Sequence, residues 1–390
     1  MLTKITNAIL ITDVLDSKSN LYFEDGKIVA ITDDNLPCDR VIDAEGLYVS
    51  PGFIDIHTHG AGDYDFGDGS ADDIRKASYA HAAHGTTAIY PTCTTTSTEG
   101  ILQFIRNVKE VMAENRPGMP FVAGSHLEGP YFSQGMRGAQ NPAYIKSPVP
   151  EEYKRFIEAG EGTVRRISFA PELEGSVELC EYLVENGVVA AFGHTEAIYE
   201  ELIPVIRKGC KLATHLYSGM NLVTRRGPYR KLGAVETAFL EDDVTVEIIA
   251  DGVHLPKELL QLIYKYKGSD KICLITDSMR GAGMPEGPTL LGPKADHFEC
   301  IIKDGVAMLP DMTAFAGSVA TADRLIRVMH TEVGVSLPEC IKMMCAMPAK
   351  TMGLASRGKL EAGYTADLVF FDEGINVKKV ILLGEELQKQ

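Results

Sequence analysis

The chain has 390 residues, of which 45% are hydrophobic, and a formal net charge of −16 at pH 7. This length exceeds the roughly 250 residues of a bare (β/α)8 barrel, so a second, smaller domain is expected beside a large core. The acidic balance excludes the positive surface of a nucleic-acid groove, and no window approaches the ~20 apolar residues of a membrane span, so neither partner is expected.

Both ends of the chain have the pattern of short strands. ILITDVLDSKSNLYFEDGKIVAI near the start has a turn signal at Glu24-Asp25-Gly26, and GKLEAGYTADLVFFD near the end has the same character. We predict one small, discontinuous β-sandwich domain that combines residues 1–50 and 355–390. The barrel domain is predicted between them, over residues 51–354.

Eight β-branched runs between these ends predict an α/β fold with a (β/α)8 TIM-type barrel. The runs are Tyr48–Ile56, Thr86–Pro91, Phe121–His126, Arg166–Ala170, Val188–Gly193, Lys211–His215, Val244–Ala250 and Lys271–Thr276. Amphipathic stretches lie between most of them, namely Asp72–Ala83, Thr98–Glu114, Ser176–Asn186, Glu196–Lys208 and Pro256–Lys267. This alternation favours βαβ units, with no clear element from Met220 to Leu240.

Side chains that can ligate metals recur where these runs end. They are His57, His59, Glu128, His194, His215 and Asp277. The carboxyl ends of barrel strands form the catalytic face, so these residues are predicted to surround one cavity. The His-x-His pair directs both imidazoles to the same side, because side chains alternate along a strand.

This set predicts metal-dependent hydrolysis of an amide. Glu128, His194 and His215 form a nitrogen and oxygen ligand set of the kind that holds a water-activating ion. Asp277 is predicted to carry the proton from the attacking water to the departing amine. Carboxylate and imidazole ligands suit zinc first, and also iron, manganese or cobalt, with one or two divalent ions per chain.

The motif series GFIDIHTHG, HLEGP, GHT, THLY, ADGVH and TDS resembles the amidohydrolase superfamily. The order HLEGP, GHT and THLY is similar to its N-acetylglucosamine-6-phosphate deacetylase branch. The resemblance spans nearly the whole chain and implies hydrolysis of an N-acetyl amino-sugar phosphate to the free amine and acetate. It also implies a homodimer.

The resemblance assigns roles to individual residues. Glu128, His194 and His215 would be the principal metal ligands, while His57 and His59 could hold a second ion, and Asp277 would be the acid and base. The loop GAQNP would face the acetyl group, with Ala139 against the substrate and Gln140 polarising the amide oxygen.

The phosphate end of the substrate is implied to contact Arg226 and His254. Arg226 lies in the basic segment TRRGPYRKLG, and a guanidinium fork matches phosphate oxygens. The resemblance implies that this segment serves the site of a neighbouring subunit. Three positions depart from the branch's usual pattern, Ser218, Gly219 and Phe315, so a galactosamine epimer or an unphosphorylated sugar stays open as substrate.

Two rival functions remain at this stage. The first is a hydrolase of another amide, such as a cyclic ureide or an N-acyl amino acid. The ureide enzymes bridge two metals with a lysine at the end of the fourth strand, and RRISFAPEL has no lysine there. The second is an inactive barrel kept for binding, which predicts a loss of competent residues at the rim.

The eight cysteines are scattered without a CxxC pair, which indicates reduced thiols rather than disulfides or a zinc knuckle. The first residues, MLTKITNAILITDVLDSKSN, contain no apolar stretch long enough for a signal peptide. We therefore expect a soluble protein in the cytoplasm.

Overall fold

The computed structural model describes residues 1–294, 297–312 and 315–388. Its central sheet consists of parallel strands paired in chain order, which we number from the first to the eighth barrel strand. They are Phe53–Thr58, Thr86–Cys93, the two-part strand Phe121–Val122 and Ser125–Glu128, Val164–Phe169, Val189–Phe192, Leu212–Ala213, Thr245–Ile248 and Ile272–Leu274. The predicted α/β barrel fold is thereby confirmed.

The first and eighth barrel strands meet just beyond their carboxyl ends. The Asp277 amide donates to the His57 carbonyl at 2.9 Å, and the His59 amide donates to the Ser278 carbonyl at 2.8 Å. These bonds join the first strand to the segment that follows the eighth strand. They therefore close the ring of strands at its carboxyl edge.

Helices surround the barrel and bury one apolar face each. They are Ala71–Ala82, Thr98–Met112, Pro150–Gly160, Ser176–Glu185, Tyr199–Arg207, Ala234–Leu240, Lys257–Lys267, Ala322–Arg327, Leu337–Met344 and Ala346–Thr351, with a π-helical turn at Val328–Val333 and a 3-10 turn at Gln134–Met136. In the second of these, Ser97 caps the first turn by accepting from the Gly100 amide, and Ile101, Ile105 and Val108 face the core. Among the described residues, no helix combines the length and apolarity that crossing a membrane requires.

Two further sheets are built from the ends of the chain, the first from N-terminal strands and the second from strands of both ends. One has the order Lys27–Thr32, Asn20–Glu24, Thr3–Thr6 and Arg40–Asp43, and the other has the order Glu385–Glu386, Val377–Leu382, Leu368–Phe371, Tyr48–Pro51, Ile9–Ile11 and Leu15–Asp16. Leu21 from the first sheet and Phe370 from the second belong to one buried apolar cluster. We propose that both sheets form the small domain predicted over 1–50 and 355–390, of which residues 389–390 lie outside the described part.

The predicted run Tyr48–Ile56 divides between the two parts of the molecule at Gly52. Tyr48–Pro51 pairs with Leu368–Phe371 in the small sheets, while the first barrel strand starts at Phe53. A Cβ atom on Gly52 would lie 2.0 Å from Thr87 Oγ1, so only glycine permits this close crossing. The run predicted as one strand is therefore two strands, which divide at the Pro51-Gly52 dipeptide.

Three antiparallel elements lie outside the predicted pattern. The segment from Met220 to Leu240 contains a hairpin of Thr224–Arg226 with Tyr229–Lys231, and Gly60–Ala61 pairs with Tyr64–Asp65. A four-stranded sheet follows the eighth barrel strand, with the order Gly287–Leu291, Phe298–Lys303, Val306–Met308 and Phe315–Ser318. An isolated bridge between Ser278 and Ser318 joins this sheet to the barrel rim.

Candidate active site

The six predicted rim residues converge at the carboxyl end of the barrel. His57 is the second-last residue of the first strand, and His59 directly follows that strand. Glu128 is the last residue of the third strand. His194, His215 and Asp277 come two or three residues after the fifth, sixth and eighth strands. Five separate strands therefore contribute to a single cluster.

Glu128 stands at the centre of this cluster. Its Oε1 atom lies 3.1 Å from His194 Nε2 and 2.9 Å from His215 Nε2, and these two nitrogens are 3.1 Å apart. The same Oε1 atom is 3.5 Å from His57 Nε2, and the second oxygen, Oε2, is 3.3 Å from His59 Nε2. One carboxylate thus joins two groups of potential metal ligands.

Asp277 faces the His57 and His59 side of the cluster. Its Oδ1 atom lies 3.1 Å from His59 Nε2 and 3.4 Å from His57 Nε2. Asp277 also lines the open cavity above the cluster. Its carboxylate can therefore reach both an ion held here and a molecule in the cavity.

Three of these side chains are directed inward by an unusual backbone conformation. His194, His215 and Asp277 have φ angles of 46°, 30° and 44°, in the left-handed region. Non-glycine residues adopt this region at a cost of order 1–3 kcal/mol and are found there most often at functional sites. The backbone at three separate strand ends is thus shaped to turn a polar side chain into the cavity.

The imidazoles and carboxylates of the cluster shift the pKa values of one another. Burial opposes the protonated form of His57, but the carboxylates of Asp277 and Glu128 outweigh it and raise the pKa of His57 to about 9. Burial likewise opposes ionisation of Asp277, yet His57 and His59 lower the pKa of Asp277 to about 2. The pKa of Glu128 also lies well below its usual value, because the imidazoles around it outweigh its burial.

This arrangement fits a divalent cation. His57 Nε2 is a buried ring nitrogen with no hydrogen-bond partner among the described residues, and it points between Glu128 and Asp277. His194 Nδ1 lies 2.8 Å from the Met136 carbonyl, which fixes its proton there and leaves Nε2 free to ligate. Nitrogen and carboxylate donors at these distances can hold one ion beside Glu128 in each group, with small adjustments of the side chains.

The cavity above the cluster contains most of the predicted substrate-binding residues. Those lining it are Ala139, Gln140, Ser218, Gly219, His254 and Phe315. Arg226 is instead exposed on the hairpin and is not among the residues that line the cavity. The basic segment therefore does not complete the site within one described chain.

Gln140 is held in a defined orientation. Its Oε1 atom accepts from the Thr95 amide at 2.7 Å, and its Nε2 donates to Glu128 Oε2 at 2.7 Å. One hydrogen of the side-chain amide is thus directed at the central carboxylate, and the second remains for a ligand.

His254 is oriented from behind. Its Nδ1 lies 2.8 Å from Asp251 Oδ2, and the His254 amide donates to Asp251 Oδ1 at 2.8 Å. The His254 ring lies beside the Phe315 ring, with centroids 5.1 Å apart. His254 Nε2 and the Phe315 ring therefore form one polar and one apolar surface of the same wall.

Sequence reasoning missed several residues of this site. The loop Thr94-Thr95-Thr96 lines the cavity, and Leu291, Pro293 and Phe298 of the unpredicted sheet region form an apolar wall. Beneath the cluster, Arg166 and Glu247 are fully buried inside the barrel. Glu247 had a signal in the sequence, because it is a charged residue between the apolar Val246 and Ile248, where a charge needs a partner. Arg166 had a weaker signal, because its strand VRRISF also contains the exposed Arg165.

Comparison with known proteins finds relatives that match most of the chain. The Amidohydrolase family model matches residues 48–387. N-acetylglucosamine-6-phosphate deacetylase of Lysinibacillus sphaericus is 31% identical over 373 residues, covering 95% of this chain and 93% of that protein. N-acetylgalactosamine-6-phosphate deacetylase of Escherichia coli O157:H7 is 29% identical, covering 94% of this chain and 93% of that protein.

A solved structure has nearly the same fold. A mutant of N-acetyl-D-glucosamine-6-phosphate deacetylase from Mycobacterium smegmatis, in complex with N-acetyl-D-glucosamine-6-phosphate, superposes with a TM-score of 0.89. The two chains are 32% identical, and the match covers 100% of this chain and 99% of the other.

Proposed function

This chain belongs to the amidohydrolase family, and on that premise we propose that it hydrolyses N-acetylglucosamine 6-phosphate to glucosamine 6-phosphate and acetate, a step of amino-sugar breakdown. The observation that carries this proposal is the meeting of Glu128, two groups of histidines and Asp277 at one wall of a cavity. The names of relatives about 30% identical over most of the chain support the choice of substrate.

We propose that Glu128, His194 and His215 would hold the principal divalent ion, and that His57 and His59, together with Glu128, would hold a second one. Zinc suits the mixed nitrogen and oxygen donors best, although iron, manganese and cobalt accept the same donors. When bound, such an ion polarises the amide carbonyl and makes water a stronger nucleophile.

Asp277 would transfer the proton. Its pKa of about 2 keeps it ionised at neutral pH. It would accept a proton as the water oxygen bonds to the amide carbon, because that bond makes the water proton strongly acidic. Asp277 then gives this proton to the nitrogen as the carbon–nitrogen bond breaks, which releases the amine and acetate. Its location between the ligand histidines and the open cavity supports both transfers.

Gln140 would stabilise the negative charge that develops on the carbonyl oxygen. Its side-chain amide is fixed by Thr95 and Glu128, so the second Nε2 hydrogen needs no reorganisation before it donates. A preorganised donor of this kind lowers the barrier by about 2.7–4 kcal/mol. Ala139 lies beside it in the cavity wall and would contact the acetyl group.

The sugar-phosphate end of the substrate would lie against Ser218, Gly219, His254 and Phe315. We propose that Arg226 reaches the phosphate from a second copy of the chain, because its hairpin is exposed and outside the cavity of its own chain. A homodimer is thus part of the proposal. Cytoplasmic function is also proposed, supported by eight cysteines that are all free thiols.

Replacing Arg226 with alanine tests this assignment. We expect KM for N-acetylglucosamine 6-phosphate to rise by about tenfold or more, because a charge-assisted contact worth about 1.5–3 kcal/mol is lost. KM for N-acetylglucosamine should hardly change. Arg106→Ala, at an exposed arginine on the helix Thr98–Met112, is the matched control and should leave both values unchanged. Equal losses on both sugars would rule out a phosphate role for Arg226.

The overall proposal is tested by acetate release from the purified, metal-quantified protein. N-acetylglucosamine 6-phosphate, N-acetylgalactosamine 6-phosphate and unphosphorylated N-acetylglucosamine are compared at equal concentrations. We expect the highest kcat/KM on N-acetylglucosamine 6-phosphate. No release from any of the three, with metal bound, would contradict the proposed reaction.

A second candidate is the galactosamine epimer of the same substrate. It is favoured by the N-acetylgalactosamine-6-phosphate deacetylase of Escherichia coli O157:H7, whose identity to this chain is nearly as high as that of the glucosamine enzymes. A higher kcat/KM on N-acetylgalactosamine 6-phosphate in the same assay would select this candidate.

A further inference from the structure

Arg166 and Glu247 form an ion pair inside the barrel, directly beneath the metal-ligand cluster. Arg166 belongs to the fourth barrel strand and Glu247 to the seventh, and both are fully buried. The Arg166 Nη1 atom contacts Glu247 Oε1, and Nη2 donates to Glu247 Oε2 at 2.8 Å. Removing two charges from water costs several kcal/mol per ion, so this pair requires an unusually complete set of partners.

The remaining partners of the pair connect it to the cluster. Arg166 donates to Thr214 Oγ1 at 3.0 Å and to the Ile56 carbonyl at 3.3 Å. Glu247 Oε2 accepts from the His215 amide at 3.2 Å and lies 3.3 Å from His57 Nδ1. The ion pair therefore supports the backbone beside two imidazoles and contacts one ring directly.

The contact with His57 decides which ring nitrogen carries the proton. A carboxylate can only accept a hydrogen bond, so when the ring gives up one proton to bind an ion, Glu247 keeps the hydrogen on His57 Nδ1 and the lone pair forms on Nε2. That Nε2 atom is the buried nitrogen without a hydrogen-bond partner among the described residues, 3.5 Å from Glu128 Oε1. At His59, by contrast, the remote Nδ1 atom is buried without a partner in the described chain, so no acceptor selects its tautomer.

We propose that Glu247, held by Arg166, is a positioning residue that prepares His57 to ligate the second divalent ion of the proposed site. Carboxylates behind ligand histidines orient the ring and strengthen the nitrogen that binds metal. Glu247 would touch neither the substrate nor the ion. This inference rests on the proposed metal ligands, but it is independent of the identity of the substrate.

Manganese binding provides the test. Metal-free wild type and Glu247→Gln are titrated with Mn²⁺ in a calorimeter, and each loaded sample is examined by electron paramagnetic resonance. For the wild type we expect two ions per chain and the spectrum of a coupled pair. In Glu247→Gln, one Kd should rise by about 10–100-fold while the other stays unchanged, and the spectrum should become that of an isolated ion.

A second variant protects the test against misfolding, because Glu247→Gln leaves the Arg166 charge without its partner. The double change Arg166→Met with Glu247→Leu removes both charges at similar volume, which buried ion pairs often tolerate. It should show the same loss at one site. Asp367→Asn is the matched control, since Asp367 is a buried carboxylate paired with Arg357 in the small sheets, and it should bind two ions normally.

Three results would overturn the inference. They are a single ion in the wild type, two ions of unchanged affinity in both Glu247 variants, and an equal loss of the second ion in Asp367→Asn. A protein that binds two manganese ions as expected but releases no acetate would contradict the proposed substrate and leave the role of Glu247 intact.

Discussion

Asp277→Asn is expected to lower kcat for acetate release by about 10²–10⁴-fold while the protein keeps its metal. This range is the usual contribution of a positioned acid and base, and asparagine has the same shape without the ability to accept and return a proton. The proposed principal ligands Glu128, His194 and His215 are unchanged in this variant. Metal content is measured by elemental analysis on the samples used for kinetics.

The pH dependence of the same reaction provides a further readout. Because the pKa of Asp277 is lowered to about 2, its carboxylate is ionised throughout the range in which the protein can be assayed. The wild-type kcat should therefore show no loss from protonation of Asp277 between pH 5 and 8. A kcat for Asp277→Asn within twofold of the wild type would remove Asp277 from the mechanism.

Glu128→Gln is expected to abolish metal binding, and acetate release with it. The carboxylate contacts the Nε2 atoms of four histidines. The glutamine amide is neutral and has a single acceptor oxygen in place of two. Both proposed ions depend on this residue, so elemental analysis should find almost no metal after purification, with activity at background.

Thermal unfolding distinguishes loss of metal from general damage. An ion present at 100 times its Kd stabilises the folded state by about 2.7 kcal/mol, so a chelator should lower the Tm of the wild type clearly. The Tm of Glu128→Gln should not respond to the chelator. Glu152→Gln is the control, because Glu152 is a largely buried carboxylate paired with Lys146, away from the imidazoles, and it should behave as wild type. A chelator response in Glu128→Gln would contradict its central role.

The barrel and its rim were predictable because two signals coincide in the sequence: apolar runs, and polar residues directly after them. Apolar runs such as Lys271–Thr276 mark strands that are buried on both faces, and polar residues directly after them must lie at the edge of the sheet. Asp277 was found in this way. The rule needs only the order of residues along one strand, so it does not depend on how distant parts of the chain pack.

Features that depend on distant contacts were not predictable. The division of Tyr48–Ile56 follows from the crossing of Gly52 over Thr87, and the Pro51-Gly52 dipeptide is a local signal of a break that does not reveal this distant contact. The antiparallel sheet that begins at Gly287 contributes Phe298 and Phe315 to the cavity wall, although its strands carry mixed burial patterns instead of a regular alternation. The partnership of Arg166 with Glu247 likewise joins strands that are separated by 81 positions in sequence.

The distribution of the cluster over the barrel also has a consequence for how the protein folds. His57 lies in the first strand and Asp277 follows the eighth, and the two residues meet through the bond from the Asp277 amide to the His57 carbonyl and through their side chains. Contacts between residues so far apart form late, because the intervening chain must first be ordered. The second proposed ion would therefore bind only after the first and eighth strands have joined, and its binding would slow the separation of these two strands during unfolding.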